Sequence, residues 1–124
     1  MHNVIISLAS NYEQAKHLTE ARTLLGRVLC DLRYTPEIWT EPIGGKTSTL
    51  YLNQLATATT TLTPQQLAAT LKDIERTMHR TEFDRQRNIV RIDLDLLLYD
   101  KQRHHVADWD RPYVKQLLPL LEQP

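Results

Sequence analysis

Residues 91–99 read RIDLDLLLY, and this stretch decides the fold. Asp93 and Asp95 alternate with apolar residues, which is the two-residue period of a strand that buries one face. The two carboxylates therefore point to the same face, with Cα atoms about 7 Å apart. The buried face is formed by three apolar residues, Ile92, Leu94 and Leu96.

The sequence before this strand predicts further strands and helices. Dense β-branched residues predict a strand over residues 3–9, and a threonine-rich stretch predicts another over residues 51–62. Apolar residues at helical spacing predict a helix within residues 12–29, followed by a strand within residues 28–39. Residues 40–50 contain one proline and two of the three glycines, which is typical of a loop.

The second predicted helix has a clear start. Thr63 can cap it, Pro64 suits the first helical position, and Gln66 completes a capping box. The helix then presents an apolar stripe at helical spacing, formed by Leu67, Leu71, Ile74 and Met78.

The order of the predicted elements indicates the fold class. Residues 100–110 are interpreted as a loop or a weak strand, and residues 113–123 as a helix that Pro119 should kink or end. The order β-α-β-β-α-β is that of ferredoxin-like α+β domains. We therefore expect a four-stranded antiparallel sheet with helices on one face and the other face open for a ligand.

Composition limits the class of protein. The 124 residues are predicted to form one domain, residues 1–124. Fifteen basic and fifteen acidic residues cancel, which argues against nucleic-acid binding by the whole surface. Cys30 is the single cysteine, and no stretch has the pattern of a signal peptide or a bilayer span. These features predict a cytoplasmic protein that does not act on membranes.

The paired carboxylates suggest a metal site for phosphate chemistry. Adjacent acids repel each other, and a divalent cation removes that repulsion. Mg²⁺ commonly binds one or two carboxylates together with substrate phosphates. The alternative is a solvent-facing strand that carries two acids by chance. Five arginines just upstream favour a polyphosphate ligand, although they also fit a solvated helix end: Arg76, Arg80, Arg85, Arg87 and Arg91.

Several stretches together resemble the hydroxymethyldihydropterin pyrophosphokinases of folate synthesis. The most specific is DLDLLLY (residues 93–99), which follows an arginine-rich segment and the IER of residues 74–76. YLNQLATATTTLTPQQL (residues 51–67) resembles the family's junction between a strand and a helix. IISLASN (residues 5–11) resembles its first strand, and the order and spacing match over roughly residues 4–99.

The resemblance implies a ferredoxin-like fold, a reaction and a set of site residues. The family transfers the terminal diphosphate of ATP to the primary hydroxyl of 6-hydroxymethyl-7,8-dihydropterin and releases AMP. Two Mg²⁺ ions bound with ATP would be held by Asp93 and Asp95, which would be catalytic together with Arg80. The implied nucleotide-binding residues are Arg80, Arg87 and Arg91. The implied pterin-binding residues are Asn53, Pro42, Ile43 and Gly44, with Trp39 or Tyr51 as a stacking surface.

The sequence departs from the family pattern at several positions. Ala9 stands where the family has the glycine of Gly-Ser-Asn, and Glu82 and Arg87 stand where it has an arginine and a tryptophan. The family's Pro-Arg falls on residues 89–90, so that Val90 replaces the arginine. The family's tail has an arginine and an aromatic residue before a helix. Residues 110–114 are the candidates for these, and no role is assigned to them.

Three hypotheses follow. The first is an active pyrophosphokinase whose partners are ATP and a pterin, monomeric or weakly dimeric, without nucleic acid or membrane partners. The second is an inactive or repurposed relative on the same fold. The third, an RNA-binding module, is disfavoured because Phe83 is the single phenylalanine available for stacking. His104 and His105 are interpreted as part of a solvated loop.

Overall fold

The first strand, β1 (His2–Ser10), lies at the centre of an antiparallel sheet in the computed structural model, which describes residues 1–42, 49–78 and 81–121. The strands are β1 (His2–Ser10), β2 (Cys30–Tyr34), β3 (Ile38–Thr40), β4 (Tyr51–Thr60), β5 (Asp93–Tyr99) and β6 (Gln102–Arg103). The helices are α1 (Gln14–Leu25), α2 (Pro64–Thr77), α3 (Glu82–Gln86) and α4 (Pro112–Leu121), with a 3₁₀ helix at Val106–Asp110.

The sheet order is β2-β4-β1-β5-β6, and β3 pairs with β4 beyond the end of β2. The α+β class is therefore confirmed. The expected four-stranded sheet is wrong, because the described residues form six strands. The predicted strand of residues 28–39 is divided into β2 and β3 by Pro36, which cannot donate to a ladder. Asp100 has a left-handed backbone conformation and turns the chain from β5 into β6. The strand β6 lies in residues 100–110, which the sequence predicted to be a loop or a weak strand.

Two helices cover one face of the sheet. The main core lies between this face and α1 and α2, and it includes Ile92, Leu94 and Leu96 as well as the stripe of Leu67, Leu71, Ile74 and Met78. The predicted facing of the side chains in residues 91–99 is thus confirmed. The apolar side chains contact the helices, and Asp93 and Asp95 face away from them.

The expectation that all helices pack on one face is wrong for α4. Val114 and Leu117 of α4 contact Leu55 and Leu97 on the opposite face and form a second, smaller core. The helix continues to Leu121 through Pro119, which was expected to kink or end it. Only two residues follow Pro119 in the helix, so its missing N–H affects the last turn alone.

A bulge in β5 changes the face on which the end of the strand places its side chains. The pairing with β1 shifts between Ile5 and Ile6, so that Leu97 has no partner residue across the ladder. Such an extra residue changes the face on which the following side chains lie. Leu97 lies on the same face as Asp93 and Asp95 by strand alternation and contacts α4. The extra residue turns Tyr99 to the main core, where its hydroxyl donates to the Leu62 carbonyl at 2.7 Å.

The predicted capping box of α2 is confirmed. The Gln66 N–H donates to Thr63 Oγ1 at 3.1 Å, and the Thr63 N–H donates to Gln66 Oε1 at 2.9 Å. The α2 helix lies directly under β5, and the buried Glu75 carboxylate accepts the Leu94 N–H at 2.8 Å. The last turn of α2 therefore helps to fix the strand that carries the acid pair.

We expect Thr63→Ala to lower the free energy of unfolding by about 1 kcal/mol, because it removes the acceptor of the Gln66 N–H. Urea denaturation of the variant and the parent measures this difference. Thr61→Ala, at an exposed position before the cap, is the control and should change the stability by less than about 0.5 kcal/mol. Equal effects of the two substitutions would contradict the capping role.

Candidate active site

Three neighbouring strands bring the predicted site residues into one row across the sheet. Ala9 of β1 is paired with Asn53 of β4 on one side and with Asp93 of β5 on the other. One step along β1, Ser7 is paired with Asp95. Since side chains in one row point to the same face, the amide and both carboxylates face one space, and the small side chains of Ser7 and Ala9 form its floor.

That space is a cavity of about 710 Å³ between the sheet and the N-terminal end of α4. This volume is in the usual range for a small-molecule site. The carboxylates of Asp93 and Asp95 lie on the β5 side, and β3 and β4 contribute most of the opposite side. The aromatic and apolar part of the lining consists of Ile38, Trp39, Tyr51, Pro112 and Tyr113.

The start of α4 and the residue before it supply lining residues to which the sequence analysis assigned no role. Arg111 and Tyr113 line the cavity together with Asp108 of the 3₁₀ helix. Burial raises the pKa of the Tyr113 hydroxyl to about 12, so this phenol stays protonated and can donate a hydrogen bond. The sequence offered residues 110–114 as candidates for an arginine and an aromatic residue, and Pro112 further indicates a helix start there.

Electrostatics single out Asp95. Burial, the neighbouring Asp93 and the acids Asp108 and Glu75 raise the pKa of the Asp95 carboxyl to about 6, and His105 opposes this effect. His105 Nε2 lies 3.8 Å from Asp95 Oδ1. Ionised Asp95 is thus unfavourable in the free protein, and a bound cation would relieve this repulsion.

Asn53 is buried, and part of its amide is already used. The amide nitrogen donates to the Thr40 hydroxyl at 2.6 Å and to the Ile38 carbonyl at 3.2 Å, which ties β3 to β4. The amide oxygen is then the atom through which Asn53 can meet a ligand. The sequence predicted a side chain that offers a donor and an acceptor together, whereas the structure commits the donor to β3.

Arg87 and Arg91, the predicted nucleotide-binding arginines that the structure describes, do not line this cavity. Arg91 Nε donates to the buried Asp84 carboxylate at 2.9 Å, and its guanidinium lies 5.1 Å from the centre of the Tyr12 ring. The hydrogen bond from Arg91 holds the pKa of Asp84 below its usual value. The pair therefore fastens α3 to the chain just before β5.

Other residues of α3 are also paired. The Arg87 guanidinium lies 4.0 Å from the centre of the exposed Phe83 ring. Glu82, which stands where the family has an arginine, accepts from Arg85 Nη1 at 3.3 Å. Among the predicted site residues, Ile43, Gly44 and Arg80 lie outside the described residues, and Pro42 follows the cavity residue Glu41.

A second cavity of about 300 Å³ lies beside the outer edge of β5. Asp95 lines both cavities, so the two meet at the acid pair. The second cavity has an apolar wall with Ala68, Leu71, Leu94 and Leu96, and a basic rim with Lys72, His104 and His105. The two histidines lie in a turn and line the same cavity.

The residues at the acid pair fit Mg²⁺. Asp93 and Asp95 offer hard carboxylate oxygens on one face, and Mg²⁺ commonly takes one or two carboxylates and completes its shell with water and phosphate oxygens. Within the described ranges, no cluster of three or more His, Cys, Asp or Glu side chains forms a metal site.

No helix in the described part of the chain is long and apolar enough to cross a membrane.

Comparison with known proteins identifies the family. The sequence model of the 7,8-dihydro-6-hydroxymethylpterin-pyrophosphokinase (HPPK) family matches residues 5–123. The chain is 32% identical over 131 residues to the "Folate synthesis bifunctional protein, mitochondrial" of Arabidopsis thaliana, covering 98% of this chain and 23% of that protein. It is 30% identical over 129 residues to the "Folate synthesis bifunctional protein" of the same plant, covering 96% and 26%.

The chain belongs to the 7,8-dihydro-6-hydroxymethylpterin-pyrophosphokinase family. The resemblance seen in the sequence is therefore confirmed. The family match also extends through the C-terminal residues, beyond residues 4–99, to which the resemblance was limited. The chain spans about a quarter of the length of the two plant proteins.

The raised pKa of Asp95 predicts a pH-dependent stability. An acid whose pKa is higher in the folded state than in the unfolded state lowers the stability as the pH rises from about 4 to about 7. Asp95→Asn removes this contribution. The variant should therefore gain stability relative to the parent over this range, by at most about 3 kcal/mol.

Denaturation curves at several pH values, recorded without divalent cations, measure this gain. Asp110→Asn is the matched control, because the Asp110 side chain is 87% exposed and lies outside the cavity lining. A stability difference between Asp95→Asn and the parent that does not change with pH would contradict the assignment.

Proposed function

We propose that this protein transfers the terminal diphosphate of ATP to the primary hydroxyl of 6-hydroxymethyl-7,8-dihydropterin. In this reaction the hydroxyl oxygen attacks the β-phosphorus, and the bond from that phosphorus to the α–β bridging oxygen breaks. AMP leaves with the bridging oxygen, and the hydroxyl proton is released. The observation that carries the proposal is the acid pair of β5, which faces a cavity with an aromatic wall in a member of this family.

The charge of the cavity supports a cation-dependent reaction. Among the described lining residues there are four carboxylates, Glu41, Asp93, Asp95 and Asp108, and one guanidinium, that of Arg111. A bare triphosphate would be repelled from such a lining. Bound Mg²⁺ would neutralise the phosphate charge and align the attacking and leaving oxygens. Asp93 and Asp95 are the residues that would hold it.

The opposite end of the cavity suits a flat heterocycle. Trp39, Tyr51 and Tyr113 offer aromatic surface, and the Asn53 amide oxygen offers an acceptor at the cavity floor. Such a combination of stacking surface and few polar groups is typical of ligand pockets. In the proposed complex this end binds the pterin, with Pro42, Ile43 and Gly44 at its edge, and directs the hydroxymethyl group towards the acid pair.

The second cavity supports a place for the nucleoside part of ATP. The Leu94 N–H points to the outer edge of β5, where it meets Glu75, and by strand alternation the backbone groups of Leu96 point to the same edge. A purine base has donors and acceptors that can pair with such an edge, and the apolar wall suits its faces. The triphosphate would then extend along Lys72 and His105 towards Asp95.

Arg111 is the cation that lines the first cavity within the described part of the chain, and we assign it a contact with the phosphates. Arg80, Arg87 and Arg91 were predicted to bind the nucleotide. Of these, Arg80 remains a proposed catalytic and phosphate-binding residue. To reach the phosphates, Arg87 would have to leave the Phe83 ring and Arg91 would have to leave the Asp84 carboxylate.

The remaining proposals concern the fold and the setting. The four longer strands follow the order β2-β4-β1-β5 with two crossover helices, which supports a ferredoxin-like core that carries two short extra strands. We propose that residues 1–124 form one domain that works in the cytoplasm as a monomer or a weak dimer.

A non-catalytic pterin or nucleotide binder is the second candidate function. Two observations favour it: Glu82 replaces a family arginine, and Arg91 is held by Asp84. The two candidates differ in one measurement, since a binder takes up α,β-methylene-ATP and pterin but releases no AMP from ATP.

The proposed activity is tested by AMP release from ATP and Mg²⁺, with and without 6-hydroxymethyl-7,8-dihydropterin. We expect release that requires both the pterin and Mg²⁺. Asp93→Asn and Asp95→Asn should each lower the rate roughly 100-fold or more, because a charged group is lost where the transition state needs it. Asp110→Asn is the control and should keep the parental rate. AMP release that ignores the pterin would refute the proposal.

The nucleoside site is tested by a matched pair on α2. Ala68 lines the second cavity, whereas its exposed neighbour Ala69 does not. Ala68→Trp should fill the cavity and raise the KM for ATP at least about tenfold, or about 1.4 kcal/mol of lost binding. The KM for pterin should change little, and Ala69→Trp should leave both values near those of the parent. Equal effects of the two tryptophans would place the nucleoside elsewhere.

A further inference from the structure

The 3₁₀ helix between β6 and α4 is fastened to the sheet by Trp109. Its Nε1–H lies 3.2 Å from the Leu97 carbonyl and 3.1 Å from the His104 carbonyl, and donates to both. The ring contacts the second core, and the Arg103 guanidinium lies 4.3 Å from the ring centre. This anchor fixes the position of Asp108, the residue before it, relative to β5.

Asp108 holds Arg111 at two points. The Asp108 carbonyl accepts the Arg111 N–H at 3.1 Å, and Asp108 Oδ1 lies 2.9 Å from Arg111 Nε in an ion pair. The Asp108 side chain is 21% exposed, so this pair is partly shielded from water. Because the Asp108 oxygen lies beside Nε, the guanidinium still has its two terminal nitrogens with which to bind an oxyanion.

An arginine at this place needs such support. Its side chain is 42% exposed, and a free arginine would lose rotamer entropy each time it ordered against a ligand. It also lies in a cavity whose other described charged groups are acids, which would draw an unrestrained guanidinium towards Asp93 or Asp95. That contact would place the guanidinium on the proposed metal ligands.

We propose that Asp108 is a positioning residue that holds Arg111 in the orientation in which it contacts the phosphates of the bound nucleotide. The inference rests on the proposed function for the identity of the ligand. Asp108 does not touch the ligand itself. A negative charge beside a polyanion site would by itself weaken nucleotide binding, and its presence is explained here by the arginine that it directs.

The test is a double-mutant cycle between Asp108→Ala and Arg111→Ala, with Asp108→Asn as a variant that keeps the hydrogen-bond acceptor. Calorimetry gives the Kd for Mg²⁺–α,β-methylene-ATP, which cannot react because its α–β bridge is carbon. AMP release gives kcat and the two KM values. Asp110→Ala is the matched control. Asp110 lies in the same 3₁₀ helix but outside the cavity lining, and its Oδ1 is 3.9 Å from Lys115 Nζ.

We expect Asp108→Ala to weaken binding of the analogue roughly tenfold in the parent and to have almost no effect when Arg111 is already alanine. The KM for ATP should rise more than the KM for pterin, Asp108→Asn should lose less than Asp108→Ala, and Asp110→Ala should match the parent. Thermal melts establish that each variant is folded.

Other outcomes separate the two proposals. Equal losses from Asp108→Ala in both backgrounds would show a merely structural role, and tighter binding would show simple repulsion; either overturns the inference. If the parent binds the analogue but releases no AMP, the proposed activity fails, while the binding cycle still decides the role of Asp108. If the parent binds no analogue, both proposals fail.

Discussion

The pairing of β1 with strands on both of its edges is the constraint on which the site depends. Nine consecutive residues of β1 are paired with β4, and the same strand is paired with β5 on its other side. This register places Asn53, Ala9 and Asp93 in one row. A slip of one residue would turn the carboxylates into the core and the core leucines towards solvent, so burial of the apolar face maintains the register.

The second face owes its shape to contacts made by Leu97. Its side chain packs against α4 and its carbonyl accepts from Trp109, so one residue of β5 receives both the helix and the 3₁₀ segment before it. Their arrival turns an open sheet face into a walled cavity and brings Arg111 and Tyr113 to the acid pair. The cavity is therefore a product of contacts between residues far apart in the chain.

Charge in this protein is divided between structure and the candidate site. The Asp84–Arg91 pair is largely buried and fastens α3, whereas the acid pair of β5 faces the cavity. An arginine that satisfies a buried carboxylate is costly to remove, because it would leave that charge unpaired. Because carboxylates outnumber the guanidinium in the described lining, the phosphates of the proposed complex would contact cations supplied with the ligand and Arg111.

The sequence by itself determined the features that depend on local periodicity. The alternation in residues 91–99 separated the core face from the acid face, and the Thr63–Gln66 spacing marked the start of α2, because both patterns arise within a few neighbouring residues. The tertiary structure alone decided where α4 packs, how Pro36 divides a predicted strand, and which partners Arg91 and Asn53 take. Those outcomes depend on which groups meet across the sheet, and a long polar side chain can satisfy its hydrogen bonds with any partner that the folded chain brings within reach.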